Sequence, residues 1–189
     1  MLRGSRNYVH STDLYPELLR GAELLGLGHV DGPIDLKLRH LIATQPEFHY
    51  GVAPALEAPA TFLIRVAATD IEGWIGASDR PVTDRRAYDE AKIWERAVLE
   101  EGTIRMTDDP GMEPIEVVTA LGVLQHRKIL PPATGRRWLL ARLQLARPLR
   151  ADAAAECQIR MTQTAGRSMT RSVIATPTEV LGTMTFILG

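Results

Sequence analysis

One segment leaves this chain little choice of architecture. From residue 114 to 130, PIEVVTALGVLQHRKIL carries Ile115, Val117, Val118, Ala120, Leu121, Val123, Leu124, Ile129 and Leu130 at helical spacing, so its first three turns are apolar nearly all round. A helix of that kind has no face to offer to water and must be enclosed by other elements. Pro114 suits the first helical position, and DDPGM before it and PPATG after it supply the stops.

The residues that follow supply an enclosing surface. WLLARLQLARPL reads as a long strand with Leu139, Ala141, Leu143 and Leu145 on one face and Trp138, Leu140, Arg142 and Gln144 on the other, and Pro148 ends its pairing. Ala155, Cys157, Ile159 and Met161 then alternate with Glu156, Gln158, Arg160 and Thr162. Val173 and Ala175 share a face against Ser172 and Thr176, and Val180 to Leu188 is rich in β-branched and aromatic residues, with TAGR and TPTE as turns. With the short strand GTIRM ahead of the helix, the second half reads as strand, helix and four antiparallel strands.

The first half follows the same order. Ser11 or Thr12 is expected to cap a helix that buries Leu14, Leu18, Leu19, Ala22 and Leu25 and stops near Gly26. Ile34, Leu36 and Leu38 alternate with Asp35, Lys37 and Arg39, and EFHYGV, TFLIRVAATD and GWIGASDR follow as strand-like segments. LKLRHLIATQPEF can be laid over LLARLQLARPLR, and TFLIRVAATDIEGWIGASDRP over ECQIRMTQTAGRSMTRSVIATP. Internal duplication is one reading of this, and a chance likeness of element order is the other. Between the halves the pattern predicts a surface helix over 83–101, with Thr83 as N-cap, Gly102 as stop and a stripe of Tyr88, Ala91, Trp94 and Val98. The expected organisation is a first half at 1–82, a linking helix at 83–102 and a second half at 103–189, in the α+β class with antiparallel sheets wrapped around central helices.

Composition excludes several functions. At 189 residues the chain can bury a real core, as one domain or as two small fused ones. Its net charge is -1, and its 22 basic residues, of which only Lys37, Lys92 and Lys128 are lysines, are scattered among acids, so no nucleic-acid partner is expected. It has no apolar run of membrane-spanning length, and MLRGSRNYVHS lacks the apolar core of a secretory signal, so a cytoplasmic protein with no membrane partner is expected. Cys157, with no disulfide partner, reads as a small buried hydrophobe. No His/Cys/Asp/Glu spacing resembles a zinc or iron site, and there is no Walker sequence, dinucleotide fingerprint or GxSxG elbow; no metal and no cofactor are expected.

A nearly all-apolar helix enclosed by an antiparallel sheet, with a strand before it and four after it, resembles the hotdog fold of acyl-thioester enzymes. RPLRAD keeps the Arg147, Pro148, Leu149 and Asp152 with which the family often closes its long strand, although Ala151 stands where glycine is usual. Over the whole chain the likeness is to a double hotdog, covering 103–189 well and 7–80 loosely. It implies processing of acyl groups on coenzyme A or acyl carrier protein, as a thioesterase, dehydratase or acyl-transfer enzyme, in a biosynthetic pathway. It also places the site where the first strand gives way to the central helix, where amide donors can hold a thioester oxygen.

Those junctions are YVHSTDLY and MTDDPGME. The first gathers Tyr8, His10, Ser11, Thr12, Asp13 and Tyr15. The resemblance makes His10 the general base or acid, with Asp13 orienting it or taking the proton, Tyr8 beside them, and Ser11 and Thr12 binding substrate. The longer motif of the hydratase branch is absent. Asp109, Glu113 and Glu116 are the carboxylates offered by the second junction, and Arg80, or Arg136 with Arg137, is a candidate to meet a phosphate of coenzyme A. Each has a structural reading too. Ser11 and Thr12 are cap residues, while Asp13, Asp108, Asp109 and Glu113 suit the positive end of a helix. Asp79, Arg80 and Asp84 suit a turn, His40 and His49 flank LIATQPEF and could face a pocket, and His126 suits a hydrogen-bonded core position. Two rivals stay open: a noncatalytic binding or assembly module, and a small-acid lyase of the chorismate-lyase type. A flat edge in the first half, which lacks a last strand, favours a homodimer.

Overall fold

The structure, a computed structural model, describes Leu2, Arg3 and residues 7–189. The chain forms two compact units, Met1–Tyr88 with Ala146–Pro148, and Asp89–Leu145 with Leu149–Gly189. Both are α+β, and in both an antiparallel sheet carries one long helix, as the sequence led us to expect. Among the described residues no helix is long and apolar enough to cross a membrane.

The first unit runs β1 (Leu2–Arg3), α1 (Ser11–Leu24), β2 (Val30–Leu38), β3 (Thr44–Tyr50), β4 (Ala60–Val66), β5 (Thr69–Pro81) and β6 (Arg85–Arg86). Its sheet order is β3-β5-β4-β2, antiparallel throughout, while β1 and β6 form a separate parallel pair. The period-two pattern holds: Ile34 and Leu36 of β2, Ala60, Phe62 and Ile64 of β4 and Ile75 of β5 are buried. Helix α1 lies against β2 and β3 with Leu14, Leu18 and Ala22 inward, and the Tyr50 hydroxyl donates to the Leu18 carbonyl at 2.7 Å. Gly26, at φ +71°, ends the helix in a Schellman motif, its N–H reaching the Glu23 carbonyl and the Leu27 N–H reaching Ala22. Leu25 is the C-cap residue and stands 62% exposed instead of joining the core.

The second unit runs α2 (Glu90–Trp94), β7 (Ala97–Glu100), β8 (Thr103–Met106), α3 (Pro114–Ile129), β9 (Trp138–Leu145), α4 (Ala153–Glu156), β10 (Gln158–Ala165), β11 (Met169–Ala175) and β12 (Val180–Leu188). Its sheet order is β9-β12-β11-β10-β8-β7, again antiparallel. Strand β8, the enclosed helix and four strands after it keep the element order expected of this half. Helix α3 buries an unbroken run from Ile115 to Gly122, then Leu124, Gln125 and His126. Gly122 lets the sheet come close: a Cβ there would stand 2.8 Å from Phe186 Cε2 and 3.1 Å from Met184 Sδ.

The strand after the long helix pairs differently in the two units. Strand β2 pairs with β4, whereas β9 pairs with the last strand, β12. The by-eye overlay, which puts β2 on β9 and β4 on β10, therefore joins strands with different neighbours.

Several local expectations are corrected. The linking helix over 83–101 does not form: only Glu90–Trp94 is helical, with Ile93 buried, and Ala97–Glu100 turns back on Thr103–Met106 as a hairpin. Glu101 and Gly102 have φ of +48° and +78°, so Gly102 serves a tight hairpin turn, not a helix end. The side-chain alternation of β9 breaks at a bulge, because Thr185 faces Arg142 while Phe186 faces Leu140. As a result Trp138 is buried together with Leu143 and Leu145, on what strict alternation makes opposite faces. Ala155 belongs to the short α4 and not to a strand. The inward face of β11 carries Thr170, Ser172 and Ile174, not Val173 and Ala175.

Two expectations about single residues hold. Cys157 is fully buried, and the loss of solvation pushes its thiol up to about 12. His126 is fully buried and hydrogen-bonded at both ring nitrogens, at 2.6 Å to the Gly122 carbonyl and 2.5 Å to the Thr170 hydroxyl.

Candidate active site

The first junction forms a buried cluster in the first unit. Val9 is fixed by its N–H to the Ile42 carbonyl at 2.7 Å, and His10 follows with extended backbone and stands as the N-cap of α1. The expected caps, Ser11 and Thr12, instead lie inside the first turn, at 9% and 1% exposure. The imidazole replaces them: its Nδ1 accepts the Thr12 amide at 3.4 Å and lies 2.7 Å from Thr12 Oγ1. An amide can only donate, so Nδ1 is an acceptor, and the neutral ring carries its proton on Nε2. Tyr8, Tyr15 and His10 are all buried, and the His10 ring centroid is 6.5 Å from that of Tyr8 and 5.4 Å from that of Tyr88.

Asp13 does not hold the imidazole. Its Oδ1 takes two N–H groups of Arg3, Nε at 2.8 Å and Nη2 at 2.6 Å, and the guanidinium carbon lies 5.2 Å from the Tyr88 ring centroid. Arg3 is 3% exposed. The sequence pattern gives Arg3 no role and puts Tyr88 on the stripe of a helix that does not form; the β1–β6 pairing, Leu2 with Arg85 and Arg3 with Arg86, brings two-residue strands together within the first unit. A buried arginine needs an acid partner, so an arginine ten residues ahead of an acid in the first turn of a helix is the signal that could have found Arg3.

The amides at the helix start are largely engaged within it. Thr12 N–H goes to the His10 ring, and Asp13 and Leu14 N–H go to the His10 carbonyl at 2.9 and 3.2 Å. The second junction, in the second unit, is closed in a similar way. Glu113 and Glu116 form a reciprocal capping box, the Glu113 N–H donating to Glu116 Oε2 at 3.3 Å. Glu113 is exposed while Glu116 is buried. Asp109 accepts the Gly111 N–H at 2.8 Å, and Asp108 pairs with Arg96 at 3.3 Å.

The remaining candidates belong to other elements. Arg80 is 71% exposed at the end of β5 and 3.8 Å from Glu47. Arg137 is exposed before β9, its backbone paired with Gly189, and Arg136 donates to the Leu188 carbonyl at 2.8 Å. His49 stacks on Trp74 with ring centroids 3.9 Å apart, and His40 is exposed.

No family model matches the sequence, and none of the curated proteins matches it. Solved structures with a similar course of chain include the tesB protein of Mycobacterium avium subs paratuberculosis, at 10% identity and TM-score 0.48, covering 100% of this chain and 89% of that one. The dehydratase domain from the CurJ module of Curacin polyketide synthase is 10% identical at TM-score 0.46, over 96% of this chain and 83% of that one. An acyl-ACP thioesterase from Bacteroides thetaiotaomicron is 12% identical at TM-score 0.44, over 98% and 92%. Likeness at this level carries no residue-by-residue correspondence.

Proposed function

We propose that this chain processes acyl thioesters, borne by coenzyme A or an acyl carrier protein, at the N-terminus of α1. The observation that supports the reading is the arrangement of His10. Its Nδ1 accepts from the Thr12 amide, which puts the proton of the neutral ring on Nε2 and fixes the ring's orientation at the start of the helix. A buried, oriented donor stabilises charge developing on a thioester oxygen better than the same donor in water. The proton on Nε2 also equips His10 as a general acid, a role worth about 10²–10⁴-fold in rate. Because the Thr12 and Asp13 amides are engaged, the positive end of α1 reaches the ligand through the ring. Hydrolysis, dehydration and acyl transfer all need this polarised carbonyl, so the class of substrate is proposed and not one reaction. A cytoplasmic setting, a homodimer and phosphate contacts from Arg80 and Arg137 belong to the same proposal.

The noncatalytic module is the second reading, and the observation favouring it is that both helix starts are closed by their own caps. The enclosure of α3 in the second unit speaks against the lyase, which would have no enclosed helix. A thermal-shift series with coenzyme A, short and long acyl-CoAs and chorismate separates these readings, followed by assays of free thiol and of enoyl product, since a ligand that binds only the native state raises its apparent stability. Stabilisation and turnover by a thioester, lost in His10→Gln with folding intact, support the proposal. Stabilisation with no turnover points to the module, and stabilisation by chorismate alone points to the lyase.

A further inference from the structure

We propose that Arg3 is a positioning residue of this site: it holds Asp13 by Oδ1 alone and so keeps Oδ2 as the acceptor for an O–H group that arrives with the ligand. The inference rests on the acyl-thioester reading and adds to it the hydrogen-bonding chemistry of the reacting group.

A guanidinium fork commonly spans both oxygens of a carboxylate, one N–H to each. Here both N–H groups converge on one oxygen, Nε at 2.8 Å and Nη2 at 2.6 Å. The other oxygen, Oδ2, is buried and has no hydrogen-bond partner among the described residues. The two side chains are only 4% and 14% exposed, so water does not readily take its place. A buried acceptor without a donor is costly, and a pair that served only to tie β1 to α1 would be better made with both oxygens used. Arg3 also braces Tyr88, whose ring is 5.2 Å from the guanidinium carbon and 5.4 Å from the His10 ring, so one side chain fixes both flanks of the cluster.

A carboxylate oxygen can only accept, so its partner must bring a proton. A thioester group has none. The O–H comes either from a hydroxyl on the acyl chain or from a water that attacks the carbonyl.

The test compares the full chain with its Asp13→Asn, Arg3→Met and Arg3→Ala variants. A 3-hydroxyacyl-CoA and the matched unsubstituted acyl-CoA are titrated against each, and release of thiol and of enoyl product is timed. If the acyl hydroxyl is the donor, the wild type binds the hydroxylated ligand at least about 10-fold more tightly, and Asp13→Asn and Arg3→Met abolish the difference. If water is the donor, the two ligands bind alike, and kcat for thiol release falls about 100-fold or more in both variants at unchanged KM. In either case added guanidinium restores part of the lost property to Arg3→Ala, which a merely structural role would not predict. Should the Arg3 variants fail to fold, Asp13→Asn carries the test, because its shape is conserved. Thioesters that bind while Asp13→Asn alters neither the preference nor kcat overturn this inference and leave the proposed function standing. Binding of no thioester overturns both.

Discussion

Lowering the pH should loosen the second unit through one residue, His126. Its Nδ1 faces the Gly122 carbonyl, so that nitrogen carries the proton, and Nε2 accepts from the Thr170 hydroxyl. Burial holds its pKa below the ordinary histidine value of about 6.5. A depressed histidine contributes stability that is complete above the unfolded pKa and is lost as pH falls from there toward the folded one. In that window the unfolded chain binds one more proton, and stability declines by at most about 1.4 kcal/mol per pH unit. Between pH 6.5 and pH 5 the ceiling is therefore about 2 kcal/mol from this site. Protonation would also reverse the bond to Thr170, which is 2% exposed, and would leave its hydroxyl hydrogen in need of an acceptor. Urea denaturation at pH 8, 7, 6 and 5 measures this, with His126→Gln run in parallel so that the other histidines cancel. The wild type should lose stability relative to the variant below pH 6.5. One opposing term exists, since the Trp138 and Phe186 ring centroids lie 4.5 and 4.7 Å from the imidazole and would attract a cation. A wild type that gains on the variant as pH falls would show that this attraction wins and would refute the reasoning.

Three further outcomes are expected. Gly122→Ala should destabilise by about 1–3 kcal/mol, read as a lower Tm, because its Cβ would press on Phe186 and Met184; an unchanged Tm would mean the sheet gives way freely. Cys157 should resist a disulfide reagent at pH 8 until denaturant is added, and rapid native labelling would show that its burial is transient. Glu101→Asn should stabilise by about 0.5 kcal/mol in denaturation, because asparagine tolerates the positive φ of this turn better than glutamate does.

What the sequence revealed depended on whether apolar residues alone dictate a position. Helix α3 and the strand before it were legible, since a helix apolar all round has no other solution. The inward face of β11 was not, because Thr170 and Ser172 face inward to meet polar groups of the helix. His126 bonds Thr170, and Gln125 receives the Ser172 hydroxyl at 3.4 Å while donating to the carbonyls of Gly102 and Ile159. The face of β9 was lost at a bulge that no residue type announces. The helix expected over 83–101 had a fair stripe, but the positive φ at Glu101 and Gly102 favours a hairpin. At the candidate site Tyr8, His10, Thr12 and Asp13 are neighbours in sequence, but the partner of Asp13 is Arg3 and not His10. Arg3 stayed hidden because a two-residue parallel strand pair has no periodicity to read, and Tyr88 falls on the stripe of a helix that does not form.

The pairing of β9 with β12 bears on the order in which the units can mature. In the first unit strands β2 to β5 have all been made once residue 81 is synthesised, and the hairpin β4–β5 can form from neighbouring segments. In the second unit the strand following α3 waits for the last strand, a long loop that must close before either is satisfied. Until β12 arrives, Gly122 and His126 lack Phe186, and the most apolar helix of the chain lacks part of its cover. Synthesis from the N-terminus therefore favours an early-folding first unit and a second unit that stays sticky until its end. Nascent chains arrested ahead of residue 180 should be the species that chaperones hold.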